Sequence, residues 1–238
     1  MYGVQSVCLI VPPSIFLLDE RVFVNLGILK VAAALEQSGV RVEFLDLSGV
    51  ANFEDAMRDH GRRSEVKWFG MTATTPQMPA AYKLASVIRT ERPEAIVCLG
   101  GPHPTLVHAA AKREMTNGTM GRANKALWSL QLAFDAVVAG DGEKVVFEAL
   151  KHTKLTPDHV GQIFDADDPK GSLFLTNKTY EETPFPARHL VDMSSYHYTI
   201  EGLPSTSLIA QLGCPFGCGF CGGRDSPMLR KIRTRSTE

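Results

Sequence analysis

Five short apolar segments, each followed by a stretch with helical spacing, constrain the fold of this 238-residue chain most strongly. A nearly continuous apolar run is typical of a parallel strand that is buried on both faces. Strands that alternate with helices predict an α/β fold with a doubly wound parallel five-stranded sheet. The predicted strands are residues 4–12, 40–47, 66–72, 95–99 and 135–139.

The segments that follow four of these strands are the richest in Gly, Pro and Thr. Sheets of this kind bind ligands at the carboxyl ends of the strands, near the point where the strand order reverses. A ligand-binding edge is therefore predicted at these segments, which are residues 12–14, 72–76, 100–105 and 140–143.

A dinucleotide is the usual ligand of such a sheet, but its glycine motif is missing. Residues 11–15, after the first strand, do not contain G-x-G-x-x-G, and no P-loop sequence is present. Without those glycines, Asp46 at the end of the second strand is interpreted as an ordinary carboxylate. A flavodoxin-like FMN site stays open, although no segment argues for it.

Three of the five cysteines fall within eight residues, with the spacing C-x3-C-x2-C: Cys214, Cys218 and Cys221. Three thiolates on a glycine-rich loop can converge on one soft metal centre. A four-iron cluster normally has four cysteine ligands, so three would leave one iron open to a substrate or cofactor.

Two other interpretations of these cysteines are weaker. A structural zinc site needs a fourth Cys or His close by, and the nearest upstream histidines are His189 and His197, with none downstream. Disulfide pairing would leave one cysteine over, in a chain without a secretory signal. The remaining cysteines, Cys8 and Cys98, lie in apolar runs and are interpreted as reduced core residues.

Bulk composition excludes several classes of partner. A net charge of −1 gives no reason to expect a nucleic-acid partner. Residues 1–5 carry no basic region of the signal-peptide type, and no apolar stretch is long enough to span a bilayer. The sequence thus predicts a cytoplasmic protein without a membrane span.

The cysteine spacing, with the aromatic Phe220 just before the third cysteine, resembles the signature of the radical SAM enzymes. This resemblance implies a 4Fe–4S cluster whose open iron binds the amino and carboxylate groups of S-adenosyl-L-methionine. It also implies reductive cleavage to a 5′-deoxyadenosyl radical, with Phe220 against the adenine. An electron donor such as flavodoxin or ferredoxin would be a partner.

The loops after the strands resemble those of the cobalamin-binding domain that precedes many radical SAM barrels. The features are Pro12-Pro13, Leu26-Gly27, residues 100–105, residues 140–143 and the linker 183–188. The resemblance implies a flavodoxin-like cobalamin-binding domain. The residues it implies as cofactor contacts are Pro13, Ser14, Thr72, Thr74, Thr75, Gly100, Gly101, Pro102, His103, Gly140, Gly142 and Glu143.

Many cobalamin domains carry D-x-H-x-x-G after the first strand, and this chain does not. The departure predicts a cobalt ion without a histidine ligand from below. His103 is the only histidine in a predicted binding loop. It is interpreted as a loop residue or a hydrogen-bond donor, because a strong metal ligand normally needs an orienting partner.

The predicted organisation has three parts. Residues 1–152 form the cobalamin-binding domain, residues 153–204 a small β-hairpin (160–164 with 172–176) and a linker, and residues 205–238 the start of a radical SAM domain. The last part would contain the first strand, 205–211, and the cluster loop of an incomplete β/α barrel. A full barrel needs about 200 residues or more, so the chain looks like the front part of a longer enzyme.

The expected activity is that of a methyltransferase that uses S-adenosyl-L-methionine. A radical SAM cyclase or oxidoreductase, a cobalamin-binding module without chemistry of its own and a metal-stabilised structural protein are the alternatives. The substrate, a small molecule or natural product, cannot be inferred, because the substrate-binding loops of such a barrel are absent from the sequence.

Overall fold

The computed structural model describes residues 4–152 and 160–236, and its centre is one parallel sheet. Its strands are β1 (Ser6–Val11), β2 (Arg41–Asp46), β3 (Trp68–Thr72), β4 (Ile96–Gly100), β5 (Ala136–Gly140) and β6 (Gln162–Ala166). The spatial order is β2-β1-β3-β4-β5-β6. The connection from β1 leads to β2 at one edge of the sheet, whereas β3 to β6 follow one another toward the other edge. The strand order therefore reverses between β1 and β3, and such sheets bind ligands at this point.

Helices cover both faces of the sheet, so the predicted doubly wound α/β fold is confirmed. They are α1 (Leu26–Gln37), α2 (Phe53–Arg63), α3 (Met78–Glu91), α4 (Pro102–Thr116), α5 (Arg122–Ala133) and α6 (Gly142–Ala149). On one face Ala32 of α1 and Val146 of α6 pack on β-strand residues such as Val138. On the other face α2, α3 and α5 bury residues such as Leu84.

The sheet has six strands rather than the predicted five. Residues predicted as the first arm of a hairpin contribute to β6, which pairs in parallel with β5 through Val137 and Ile163. The sheet thus extends past residue 152, where the first domain was predicted to end. That boundary adjoins residues 153–159, which lie outside the described residues.

The predicted hairpin of 160–164 with 172–176 is not formed. Side-chain turns end β6, because Asp165 accepts the Asp167 N–H at 2.9 Å and Asp168 accepts the Lys170 N–H at 2.9 Å. Phe174 is then buried without belonging to a strand. The chain continues into α7 (Asn177–Glu182) and a short antiparallel pair, β7 (Thr199–Ile200) with β8 (Leu203–Pro204).

Helix α4 begins at Pro102, inside the predicted ligand-binding segment 100–105. Proline suits this first helical position because its fixed φ is helical and its missing N–H would have no helical partner. Residues 102–105, predicted as loop, are therefore the first turn of α4. Helix α4 runs to Thr116, and α5 starts at Arg122.

The strand predicted at 205–211 is reduced to β9 (Gln211–Leu212). It pairs antiparallel with β10 (Arg233–Thr234), whereas barrel strands pair in parallel. Between them lie the cysteine loop and the short helix α8 (Pro227–Arg230). Among the helices that the structure describes, none has the length and apolar character needed to cross a membrane.

Candidate functional site

A cavity of ≈ 410 Å³ lies at the carboxyl edge of the sheet, where the sequence predicts a ligand. The ends of β3, β4 and β5 and the amino ends of α1, α4 and α6 surround it. Ile209, Leu212, Met228 and Leu229, from the segment that carries the cysteines, close it on the outer side.

The floor of the cavity is apolar. Trp68 is buried and lies over Gly70, where a Cβ atom would be 2.7 Å from Cζ3 of the indole and 2.9 Å from Cδ2 of Leu9. Glycine is thus required in the middle of β3 because a side chain approaches the backbone closely. Cys98 also borders the cavity, and burial raises the pKa of its thiol to about 12, so it stays protonated at neutral pH.

Most of the residues predicted as cofactor contacts border this one cavity. They are Thr72, Thr74, Gly100, Gly101, Pro102, Gly140, Gly142 and Glu143. Four others are not part of its lining. Ser14 is buried, with its N–H donated to Glu20 at 2.5 Å, and the carbonyl of Pro12, next to Pro13, accepts a hydrogen bond from Gln77 at 2.7 Å. Thr75 and His103 contact each other outside the lining.

Two glycines of the predicted loops are needed by the protein's own packing. Gly101 has φ +97°, and a Cβ there would be 2.5 Å from the Thr72 hydroxyl oxygen. Gly140 has φ +114°, and a Cβ there would be 2.6 Å from the carbonyl carbon of Ala166. Both positive φ values favour glycine. Contact of these glycines with a ligand therefore stays a prediction.

Thr105 connects the same two turns, and the sequence did not single it out. Its hydroxyl donates to the Gly101 carbonyl at 2.8 Å and accepts the Gly140 N–H at 2.9 Å. The side chain is buried and borders the cavity. Its place in the first turn of α4, facing β5, is what makes both bonds possible.

Four charged residues form one wall of the cavity region. Lys30 of α1 pairs with Glu143 of α6, and Asp141 pairs with Arg233 of β10. Burial and the nearby Glu143 raise the pKa of Asp141, while Arg233 opposes that rise. Only Glu143 was predicted, because Lys30 lies in an otherwise apolar helix segment and Arg233 resembles part of a solvated basic tail.

His103 is directed at Thr75, with 3.0 Å between Nδ1 and the hydroxyl oxygen. Its backbone N–H donates to the Ala73 carbonyl at 2.9 Å. Burial lowers the pKa of the imidazole, which favours the neutral form. The imidazole thus has a partner within the protein, and a hydrogen bond from His103 to the cofactor stays a prediction.

Comparison with known proteins connects this geometry to a family. Residues 20–130 match the model of the B12 binding domain. Solved structures of two enzymes cover nearly the whole chain. One is the radical S-adenosylmethionine methyltransferase TsrM from Kitasatospora setae, with cobalamin and a 4Fe–4S cluster bound (TM-score 0.65, 16% identity, 98% of this chain and 44% of that one). The predicted resemblance is confirmed for the B12 binding domain, and the structural likeness extends it to the fold of a cobalamin-dependent radical SAM enzyme.

The second structure is the cobalamin-dependent S-adenosylmethionine radical enzyme OxsB with aqua-cobalamin bound (TM-score 0.65, 16% identity, 99% of this chain and 30% of that one). A curated relative, an uncharacterized methyltransferase, PH0819, of Pyrococcus horikoshii, is 28% identical over 160 residues, which are 64% of this chain and 30% of that protein. At these identities the structural likeness concerns the fold. The chain spans less than half the length of each of these three proteins.

The part of the chain that the B12 model leaves out contains the cysteine loop. Cys214, Cys218 and Cys221 are free and exposed, and Phe220 is 93% exposed. Among the residues that the structure describes, no three Cys, His, Asp or Glu side chains are grouped to hold a metal ion. Three cysteine thiols are the right type and number of ligands for the predicted cluster. In this structure their sulfur atoms are not grouped around one point.

One end of this loop is fixed to the rest of the protein. The Cys214 N–H donates to the Leu229 carbonyl at 2.8 Å, and Leu229 borders the cavity. Gly219, in the middle of the loop, would have no atom within 4 Å of an added Cβ. The loop is therefore anchored beside the cavity at its first cysteine and has free space around its centre.

Proposed function

We propose that the chain is the N-terminal part of a cobalamin-dependent radical SAM methyltransferase. The cavity at the carboxyl edge of the sheet binds cobalamin, and Cys214, Cys218 and Cys221 bind a 4Fe–4S cluster that takes S-adenosyl-L-methionine. One observation carries the proposal: Leu229 borders the cavity, and its carbonyl accepts the N–H of Cys214. The cavity and the first cysteine are therefore held by the same segment.

The cavity suits a corrinoid by its combination of surfaces. Trp68 and Val138 provide apolar area at the floor, while Thr72 and Thr74 offer hydroxyl groups nearer the mouth. Ligand sites commonly combine a mainly apolar lining with a few polar groups that fix orientation. Cobalamin, an apolar macrocycle with amide side groups and a nucleotide tail, matches this pattern.

The chain's own residues bind and orient cobalamin, and they exclude water from the cavity. Bound cobalamin would supply a cobalt centre for methyl transfer, and the cluster the electron that cleaves S-adenosyl-L-methionine. Met228 and Leu229 cover the outer side of the cavity with apolar surface. Neutral His103 beside Thr75 offers a hydrogen bond at the edge of the cavity without a positive charge.

Cobalamin binding is tested with substitutions at Gly27, which is exposed at the start of α1 and borders the cavity. An added Cβ would meet only Asn25 Oδ1, at 3.5 Å, so the methyl group of Ala fits without strain. Equilibrium dialysis with hydroxocobalamin should show binding by wild type and Gly27→Ala. Gly27→Leu, which extends a side chain into the cavity, should bind at least about tenfold more weakly, a cost of about 1.4 kcal/mol.

Absence of binding by a wild-type protein that circular dichroism shows to be folded would overturn the cobalamin assignment. Equal affinities for all three proteins would place cobalamin elsewhere. Glycine is less suited to helix interiors than alanine or leucine, so neither substitution should lower the helix content.

The cluster is tested by anaerobic reconstitution with iron and sulfide, followed by metal analysis and Mössbauer spectroscopy. Wild type and the control Cys8→Ala, altered in a buried strand, should form the same cluster. Cys214→Ala, Cys218→Ala and Cys221→Ala should each lose most of it, because a three-cysteine site has no spare ligand. Unchanged iron content in Cys218→Ala, or tight zinc without iron uptake, would defeat the assignment.

A cobalamin-binding module without chemistry of its own is a second candidate. The match of residues 20–130 to the B12 binding domain, which leaves out the cysteine loop, favours it. It predicts cobalamin binding that is blocked in Gly27→Leu, together with no iron–sulfur uptake under any reconstitution condition. The methyltransferase proposal predicts both activities in the same protein.

A further inference from the structure

We infer that Arg233 is a positioning residue that fixes the outer wall of the cavity, and with it the first cysteine of the loop, by pairing with Asp141. The inference rests on the proposed binding of cobalamin in the cavity. It assigns a role to an arginine that is not itself part of the cavity lining but contacts two residues that are, Asp141 and Met228.

Arg233 is 1% exposed, which is rare for arginine unless its donors are paired. The guanidinium forms an ion pair with Asp141. It also donates to the carbonyls of Leu175 at 3.2 Å and Met228 at 3.1 Å. The ring of Phe174 lies 5.4 Å from it. Such a set of partners holds the side chain in one position.

A second buried carboxylate holds the same segment. Asp167 is fully buried, and its Oδ1 accepts from the Ser226 hydroxyl at 2.5 Å and from the Met228 N–H at 2.9 Å. Its other oxygen is 3.4 Å from Nζ of Lys112. Asp141 follows β5 and Asp167 follows β6, so two neighbouring strand ends clamp residues 226–233 onto the sheet.

The clamped segment connects two sites. Met228 and Leu229 border the cavity, and the Leu229 carbonyl accepts the Cys214 N–H. Gly213, with φ +82°, approaches so closely that a Cβ would be 2.0 Å from the Lys231 carbonyl oxygen. A shift of this segment would therefore open the cavity wall and release Cys214 together.

The charges around Asp141 make its pairing testable by pH. The groups that face it are Glu143, which follows it in α6, Lys30 from α1 and Arg233 from β10. Without the guanidinium, the Asp141 and Glu143 carboxylates share Lys30, the other described cation that acts on Asp141. Burial and Glu143 already raise the pKa of Asp141, so the unpaired group would either bind a proton or move to water.

The test compares Arg233→Met, Arg233→Met/Asp141→Asn and the control Lys231→Met, which removes an exposed cation from the same segment. Hydroxocobalamin affinity is measured by dialysis from about pH 5 to about pH 9. Arg233→Met should bind about tenfold more weakly than wild type at high pH, a loss within the usual range of coupling between sites. Its affinity should approach that of wild type at low pH, where Asp141 is protonated.

The double variant carries no unpaired carboxylate at position 141. It should regain most of the affinity and lose the pH dependence, which a general loss of packing would not do. It also keeps the test valid if Arg233→Met alone folds poorly. Wild-type affinity at all pH values in Arg233→Met would overturn the inference.

Hydrogen exchange supplies a readout that is independent of cobalamin. Protection of the Cys214 amide should fall in Arg233→Met and stay unchanged in Lys231→Met. If wild type binds no cobalamin, the proposed function fails, and this measurement alone decides the positioning role. Equal protection of Cys214 in wild type and Arg233→Met would refute it.

Discussion

The Lys30 ammonium and the Glu143 carboxylate form a buried ion pair that joins α1 to α6 beside the cavity. Nζ of Lys30 also lies 5.0 Å from the ring centre of Tyr180. Removal of one partner leaves an uncompensated buried charge, so Lys30→Met should lower the free energy of unfolding by about 3–5 kcal/mol. Urea denaturation followed by circular dichroism measures the change.

Replacement of both partners should cost much less than replacement of one. Lys30→Met/Glu143→Leu exchanges the pair for apolar groups, and such exchanges are often neutral or stabilising. A double variant as unstable as Lys30→Met would show that the two charges do not compensate each other. Exposed Lys151→Met is the control for loss of a surface lysine.

Glu114 makes stability depend on acid pH. The carboxylate accepts the N–H groups of Ala123, Asn124 and Gly121, each at 3.0 Å, and so caps α5 from the end of α4. Hydrogen bonds from Ala123 and then Asn124 lower the pKa of Glu114 to about 2. An unfolded glutamate titrates at about 4.3.

Because the folded pKa is the lower one, this contribution is complete above about pH 4.3 and is lost as the pH falls toward 2. Glu114→Gln should therefore melt at a lower temperature than wild type at neutral pH, and the difference should shrink across that acid range. Thermal melts from about pH 7 to about pH 2 measure it. A difference in melting temperature that is the same at every pH would contradict the cap.

Thiol reactivity should divide the cysteines into two classes. The thiolate is the reactive form, and Cys214, Cys218 and Cys221 are exposed, whereas Cys8 and Cys98 are buried. Burial raises the pKa of both buried thiols. In native apo-protein three thiols should react rapidly with Ellman's reagent, and five after denaturation. A fourth thiol could also react rapidly in the wild type. If that reaction is absent in Cys98→Ala, the reagent enters the cavity.

The sequence located the carboxyl edge of the sheet, where the cavity lies, because its signals are local. Gly100 and Gly140 end strands, and the end of a parallel strand fixes which edge of the sheet its loop occupies. The apolar runs located all five predicted strands for the same reason. Strand pairing at the sheet edge, as for β6, depends on contacts that periodicity does not encode.

The charged wall could not be predicted, because its members are far apart in the chain. Lys30, Asp141 and Arg233 come together only after α1, β5 and the last described segment have packed. Each residue alone has an ordinary surface interpretation in the sequence. The hairpin prediction failed for a different reason, since the Asp165 and Asp168 side chains bind nearby backbone N–H groups and turn the chain away.

We expect the cobalt of bound cobalamin to have no histidine ligand from the protein. The chain lacks D-x-H-x-x-G, and His103 is outside the cavity lining, 3.0 Å from the Thr75 hydroxyl. Burial lowers the pKa of His103, which favours the neutral imidazole. Electron paramagnetic resonance of protein-bound cob(II)alamin should show no nitrogen splitting from a protein ligand. His103→Ala should leave the spectrum unchanged, and Thr75→Val should do the same. Splitting that disappears in His103→Ala but persists in Thr75→Val would identify the imidazole as a cobalt ligand.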